Sequence, residues 1–233
     1  MRFARDDEVH PPLDWAPYRS TALRAPSRSP VIVAQTLTET TGPAFGDGGV
    51  TDADRDLTAG HGGEPLGERI VVGGRVLESD GRPVPGALVE VWQANAGGRY
   101  RHEVDRHPAP LDPNFGGAGR CLSGDDGSYR FVTIKPGAYP WGNHDNAWRP
   151  AHIHFSVFGR LFTQRLVTQM YFPRDLLFEF DPIFHAVRDP AARELLVARF
   201  DLDATQPEWA LAYEWNIVLG RGARGTTPLE DGW

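Results

Sequence analysis

The chain has 233 residues, 40% hydrophobic and 11% aromatic, enough for one large domain, or one domain with an extended arm, to bury a sizeable core. Its formal net charge is −7 and Lys and Arg form no long basic run, which argues against nucleic acid as a partner. Cys121 is the only cysteine, excluding an internal disulfide and any thiolate cluster for zinc or iron–sulfur. Met1 to Ser20 is charged and proline-bearing without the apolar stretch of a signal peptide, and no run of about 18 apolar residues occurs, so a soluble, cytoplasmic protein is expected.

Residues 1–68 carry scattered prolines and glycines, one apolar stretch from Val31 to Leu37, and a Gly/Asp-rich segment from Gly42 to Gly63. They read as an arm that needs a partner surface. Residues 69–233 read as the main domain. Short β-type runs at Ile70 to Leu77, Ala87 to Ala94, Tyr129 to Ile134, His152 to Phe158 and Leu166 to Phe172 are separated by turn signals. Among these, Asp80-Gly81 and Asp126-Gly127 tolerate the positive φ of tight hairpin turns. Asp189 as N-cap and Pro190 at the first helical position predict a helix from Pro190 to Phe200. Leu211, Tyr213, Trp215, Ile217 and Leu219 alternate with smaller or polar residues, the period of a half-buried strand. Several short strands with one or two short helices predict a mainly β chain, a β-sandwich rather than a parallel α/β sheet.

His152 and His154 stand two apart in Arg149-Pro-Ala-His-Ile-His-Phe155. On a strand, both imidazoles leave one face while Ile153, Phe155 and Val157 leave the other. The pair is either a two-toothed metal ligand or two hydrogen-bonded histidines on a solvated face. The lead-in Trp148-Arg149-Pro150 is stiff and aromatic rather than rich in Lys, Glu or Ser, which favours a preorganised ligand. Two neutral imidazoles do not identify the metal. Zinc would usually add a third His, a carboxylate or cysteines, and non-haem Fe(II) oxygenases add a carboxylate. The nearby candidates here are Tyr100 and Tyr139, the latter close to Pro136 and beside Pro140. A phenol with a pKa of about 10 binds as phenolate only to a strong Lewis acid, for which ferric iron is the natural choice. Spacing alone does not select two of the six tyrosines.

The segments VEVWQANAGGRYRHEVDR (Val89 to Arg106), APLDPNFGGAGRCLSGDDGSYRFVTIKPGAYPW (Ala109 to Trp141) and NAWRPAHIHFSVFG (Asn146 to Gly159) resemble the intradiol ring-cleavage dioxygenases. VIVAQTLTETTGPAF (Val31 to Phe45) in the arm is similar to the β subunits of the protocatechuate-cleaving branch, whereas the catechol-cleaving branch begins with a helical dimerisation domain. The resemblance implies a transthyretin-like β-sandwich holding non-haem Fe(III) through Tyr100, Tyr139, His152 and His154. It implies Arg149 and Gln169 behind the iron ligands, facing substrate, with Trp141 and Ile183 as pocket walls and Tyr18 reaching in from the arm. It implies an α subunit as partner in a hetero-oligomer, and protocatechuate and O2 as substrates. Tyr139 is the ligand that such enzymes release when the diol binds: Fe(III) with two phenolates, two imidazoles and one hydroxide has no net charge, and the hydroxide and the Tyr139 phenolate can take the two diol protons, leaving Tyr100 and the diol dianion in a site still free of net charge. One departure is visible: Gly142 stands where relatives often carry Arg or Lys.

Two other readings stay open. Catechol or hydroxyquinol cleavage is the runner-up within the enzyme class. Gly81-Arg-Pro-Val-Pro-Gly-Ala-Leu-Val-Glu-Val91 also resembles transthyretin-like binding modules, which would make the chain a non-catalytic subunit. Asp52, Asp54 and Asp56 imitate the start of a calcium loop, but Leu57 and Gly63 occupy the positions that need Gly and Glu, so a solvated turn is expected. His102 and His107 read as ordinary hydrogen-bonding residues of a charged loop, and Cys121 as a packed small side chain. No phosphate loop or Ser-His-Asp motif is recognisable.

Overall fold

In a computed structural model, residues 10–28, 49–159 and 165–219 are described, together with the backbone of two short strands, β1 (Phe3–Ala4) and β13 (Leu229–Glu230), which pair antiparallel. The Val31 to Leu37 stretch and the whole Val31 to Phe45 segment that resembles the β subunits lie outside the described residues. The remaining strands are β2 (Arg69–Glu78), β3 (Leu88–Trp92), β4 (Ala118–Leu122), β5 (Ser128–Ile134), β6 (Tyr139–Trp141), β7 (Ala147–Arg149), β8 (His152–Phe158), β9 (Arg165–Tyr171), β10 (Arg199–Gln206), β11 (Ala210–Glu214) and β12 (Ile217–Leu219).

They form a β-sandwich. One sheet centres on β2, with β5 antiparallel on one edge and β11 and β12 parallel, end to end, on the other; β10 extends it beyond β11. The second sheet runs β4-β3-β8-β9, antiparallel throughout. Period-2 alternation decides which side chains meet between them. Ile70, Val72, Phe131, Val89, Val91, Ile153, Phe155 and Val157 all belong to one buried cluster, with Phe131 and Tyr129 edge-on to Phe155. Each such buried side chain contributes about 1.5–3 kcal/mol. Val71 and Val132 point the other way and join Ala210 and Ala212 in a small second cluster.

Two expectations need correction. The alternating run from Leu211 to Leu219 is broken into β11 and β12. At the break Trp215 N donates to Gly73 O (2.8 Å), Tyr129 Oη donates to Trp215 O (2.6 Å), and a Cβ on Gly74 would lie 1.9 Å from that carbonyl. Only glycine lets the crossing backbones come so close. The helix is also shorter than the 190–200 expected: Asp189 caps it through Ala191 N (2.9 Å) as its sequence suggests, but it ends at Glu194. Beyond it, Tyr171 N donates to Leu196 O and Ala198 N to Tyr171 O (both 2.8 Å), so the edge of β9 captures the chain and feeds it into β10. Strand pairing overrides helix propensity there.

The turns behave as their residues require, with φ +86° at Gly81 and +76° at Gly127. Asp126-Gly127 links β4 to β5, which lie in different sheets, so it is a crossover turn rather than a hairpin. The Asp52–Arg55 segment is a 3₁₀ turn in which Asp54 accepts from Thr51 N (2.7 Å) and Asp56 from Thr58 N (2.9 Å), leaving those carboxylates committed to local capping. Leu57 follows it into the sandwich core. Among the described residues no helix is long and apolar enough to cross a membrane.

Candidate metal centre

β8 carries His152 and His154 on the face opposite Ile153, Phe155 and Val157, as alternation requires. The register places Trp92 and Gln169 on either side of His154, and Tyr171 beside His152. Trp92 lies flat on the His154 ring, centroids 4.9 Å apart and planes 2° apart. His152 Nδ1 sits 2.7 Å from Pro150 O; a carbonyl can only accept, so the ring proton is on Nδ1 and Nε2 presents a lone pair.

The tyrosines come from loops. Tyr100 follows the turn Asn95–Arg99, in which Asn95 Oδ1 accepts from Gly97 N (2.9 Å) and Arg99 N (3.0 Å). Tyr139 begins β6, whose only strand partner among the described residues is β7; Tyr139 pairs with Arg149 across that ladder. The two loops interlock through glycines. A Cβ on Gly98, at φ +77°, would lie 2.3 Å from Ala138 O, and one on Gly137 2.3 Å from Ala96 O. Both tyrosines are thereby aimed at the β8 histidines.

The four donor atoms converge. Tyr100 Oη lies 3.1 Å from His154 Nε2, 3.5 Å from His152 Nε2 and 3.4 Å from Tyr139 Oη. His152 Nε2 lies 3.3 Å from both Tyr139 Oη and His154 Nε2. As hydrogen bonds most of these are long, but as edges around one ion they fit: donors at about 2.0–2.1 Å from a centre with near-tetrahedral angles lie roughly 3.3 Å apart. Among the described residues no group of three or more His, Cys, Asp or Glu gathers to hold a metal, and the donors beside this His pair are the two phenol oxygens.

Burial sets the protonation of the cradle. His152 is pushed well below the usual imidazole range, and His154 down to about 3, first by burial and then by the charge of Arg149. Both phenols are pushed up by burial, Tyr100 further by its neighbour Tyr139. Without a cation the centre therefore holds four neutral groups; a strongly charged ion would reverse this for the phenols.

Behind the donors lies a buried polar network. Arg149 Nε is 3.2 Å from both carboxylate oxygens of Asp181, while Nη2 donates both to Gln169 Oε1 and to Tyr171 Oη (3.3 Å). Tyr171 Oη donates to Asp181 Oδ2 (3.0 Å). Burial alone would lower the pKa of Arg149; the neighbouring Tyr171 and Asp181 outweigh it and keep the guanidinium charged. Trp141 lies under Arg149, 5.8 Å from the guanidinium carbon to its ring, and Tyr18 meets Trp141 edge-on at 4.6 Å. The N-terminal stretch docks here through Trp15 Nε1, which donates to Pro182 O (2.7 Å). Ile183 is half-buried and tied back by its N–H to Asp181 Oδ1 (2.8 Å). A Cβ on Gly142 would meet open space, so the glycine is not a packing requirement.

Every site residue singled out in the sequence thus falls in or beside one cluster. Three more belong to it: Trp92, Tyr171 and Asp181. Tyr171 could have been found by extending the alternation two residues past Gln169, whereas Trp92 needs the β3–β8 register. Asp181, in a loop, carries no sequence signal. His102 accepts from Val104 N (3.2 Å) and Asp105 accepts from His107 N (2.8 Å), the bland roles expected of that loop. Cys121 is buried in the core, its thiol pushed up by burial to about 11.

Residues 40–221 match a family model described as dioxygenase, and residues 3–36 match one described as protocatechuate 3,4-dioxygenase beta subunit N terminal. The protocatechuate 3,4-dioxygenase beta chain of Burkholderia cepacia is 57% identical over 228 residues, covering 97% of this chain and 96% of that one. The hydroxyquinol 1,2-dioxygenase of Rhizobium sp. (strain MTP-10005) is 36% identical over 177 residues, 66% of this chain and 56% of that one. Among solved structures, hydroxyquinol 1,2-dioxygenase from Pseudomonas putida DLL-E4 superposes with a TM-score of 0.55 at 26% identity, covering 87% of this chain and 71% of that one. With a model spanning most of its length and a relative aligned nearly end to end, the chain belongs to the intradiol ring-cleavage dioxygenase family, in which it is similar to the protocatechuate 3,4-dioxygenase beta chains.

Proposed function

We propose that this chain is the iron-bearing β subunit of an enzyme that cleaves protocatechuate (3,4-dihydroxybenzoate) with O2 between its two hydroxyl-bearing carbons, giving 3-carboxy-cis,cis-muconate for aromatic degradation through the β-ketoadipate pathway. The observation that carries this reading is the convergence of two phenol oxygens and two imidazole nitrogens, 3.1–3.5 Å apart, in a cradle with no carboxylate among its donors. Tyr100, Tyr139, His152 and His154 would hold Fe(III). When bound, ferric iron supplies the Lewis acidity that turns phenols and diol into anions and the electron affinity that opens the diol ring to oxygen.

The chain's own residues do the rest. Tyr139, on the lightly held β6–β7 ladder, would be the donor that gives way to the diol, its Oη taking one diol proton while hydroxide takes the other. Arg149, always protonated and held beside Tyr139, stabilises negative charge as it builds on the ring. Gln169, bonded to Arg149, presents its side chain on the strand face shared with His154. Trp141, Ile183 and Tyr18 wall the diol and keep water away. We further propose residues 1–68 as the partner-contacting arm, residues 69–233 as the catalytic domain, an α subunit as the partner, and a cytoplasmic location. A non-catalytic sandwich would have no reason to aim four ligands at one point.

The test is a visible spectrum of the protein purified with its α partner, before and after anaerobic addition of protocatechuate. A coloured resting enzyme whose band shifts on substrate addition, followed by formation of the 3-carboxymuconate on admitting oxygen, is expected. A colourless, zinc-bearing protein ends the proposal; faster turnover of catechol or hydroxyquinol would replace the substrate.

A further inference from the structure

We propose that Asp181 is a positioning residue for ring cleavage: its buried carboxylate sets the direction in which the Arg149 guanidinium faces the centre. The inference rests on the ring-cleavage reading above.

Asp181 is 0% exposed and Arg149 3%, so neither charge is screened by water. The carboxylate engages only the Nε edge of the guanidinium, 3.2 Å from both oxygens. It thus leaves Nη2 to Gln169 and Tyr171, whose strand face also bears His154 and His152. A purely structural ion pair gains most from a bidentate grip by two guanidinium nitrogens; here Nε alone meets the carboxylate, and Nη2 is turned to the strand face that bears the histidines. Two further bonds fix the carboxylate, one from Tyr171 Oη (3.0 Å) and one from Ile183 N (2.8 Å). One buried group therefore ties the arginine to the pocket wall at Ile183. Without it, an unpaired cation in a dry pocket would turn toward the nearest anion, the Tyr139 phenolate.

Asp181→Asn keeps shape and removes the charge; it is to be compared with Arg149→Ala and the double variant in iron-loaded holoenzyme. Expected are unchanged iron content and resting colour, kcat lower by about 100-fold with KM moved much less, and a double variant no more than about 3-fold slower than Asp181→Asn alone. Multiplying effects, or loss of iron from Asp181→Asn, overturn the proposal. Should Asp181→Asn not fold, Tyr171→Phe decides. It leaves the ion pair in place, and a loss of about 10-fold that again fails to multiply with Arg149→Ala supports the role, while a multiplicative loss refutes it. A wild-type enzyme that cleaves no diol defeats the underlying reading; multiplicative losses in an active one defeat only the role of Asp181.

Discussion

The two histidines and the two tyrosines of the centre are held by different kinds of structure. His152 and His154 stand on β8, paired with β9 along its length and with β3 from His154 onward, and anchored on its far face by the fully buried Ile153 and Phe155. Tyr100 follows a turn and Tyr139 lies on a three-residue strand with one partner among the described residues. A ligand on a doubly paired strand cannot move without breaking the sheet. A ligand on a short ladder can swing at small cost. On the proposed reading the fold separates the residues that would keep the metal from the residue that would exchange during turnover, and the order of effects in variants should follow that division.

The largest contrast is between His154→Ala and Tyr139→Phe. Loss of the imidazole removes a ligand from the rigid half, and iron affinity should fall by well over about 100-fold, leaving a colourless protein without ring cleavage. Tyr139→Phe should keep most of its iron and a visible band from Tyr100, shifted in position, while ring cleavage collapses because no phenolate remains to take the diol proton. Iron analysis and absorption spectra of the two variants settle the point; comparable iron loss in both would erase the distinction between a holding and an exchanging half.

A smaller effect tests how the tyrosine half is seated. Gly98→Ala introduces a Cβ 2.3 Å from Ala138 O at a residue with φ +77°, so the interlocked turns must part. A destabilisation of about 1–3 kcal/mol is expected in urea unfolding, with a displaced visible band because Tyr100 and Tyr139 lose their common setting. Iron should stay, since β8 is untouched. A variant as stable as wild type with an unaltered spectrum would show that the glycine interlock does not aim the phenols.

The same division explains what the sequence makes legible. The histidine half can be read from alternation alone, because period 2 along His152 to Phe158 decides which side chains face inward and the turn glycines mark where strands stop. The phenols are only candidates on that basis: Tyr100 and Tyr139 lie 39 positions apart and meet through loop packing that no period encodes. The family resemblance, not the spacing, singles them out. Asp181 is further from reach, since its role depends on burial beside a strand-end arginine. The break between β11 and β12 and the early end of the 190–194 helix fail for a related reason: both are decided by neighbouring backbone, Gly74 and the edge of β9, rather than by the residues themselves.

The metal-stripped chain reports on the histidine half alone. With folded-state values pushed to about 3 for His154 and well below the usual range for His152, against about 6.5 in the unfolded chain, the unfolded state binds more protons between those limits. Stability present above about pH 6.5 is therefore lost as acid is added toward about pH 3, by up to about 1.4 kcal/mol per pH unit for each histidine. The phenols contribute nothing there, because burial moves them further above neutrality. Urea unfolding of the stripped protein at pH 7, 6 and 5 should show this slope, and stripped His154→Ala should show a shallower one by the share of a single histidine. Equal slopes would mean that the His154 imidazole is already protonated in the folded chain, and that the rigid half is not kept neutral in readiness for a metal.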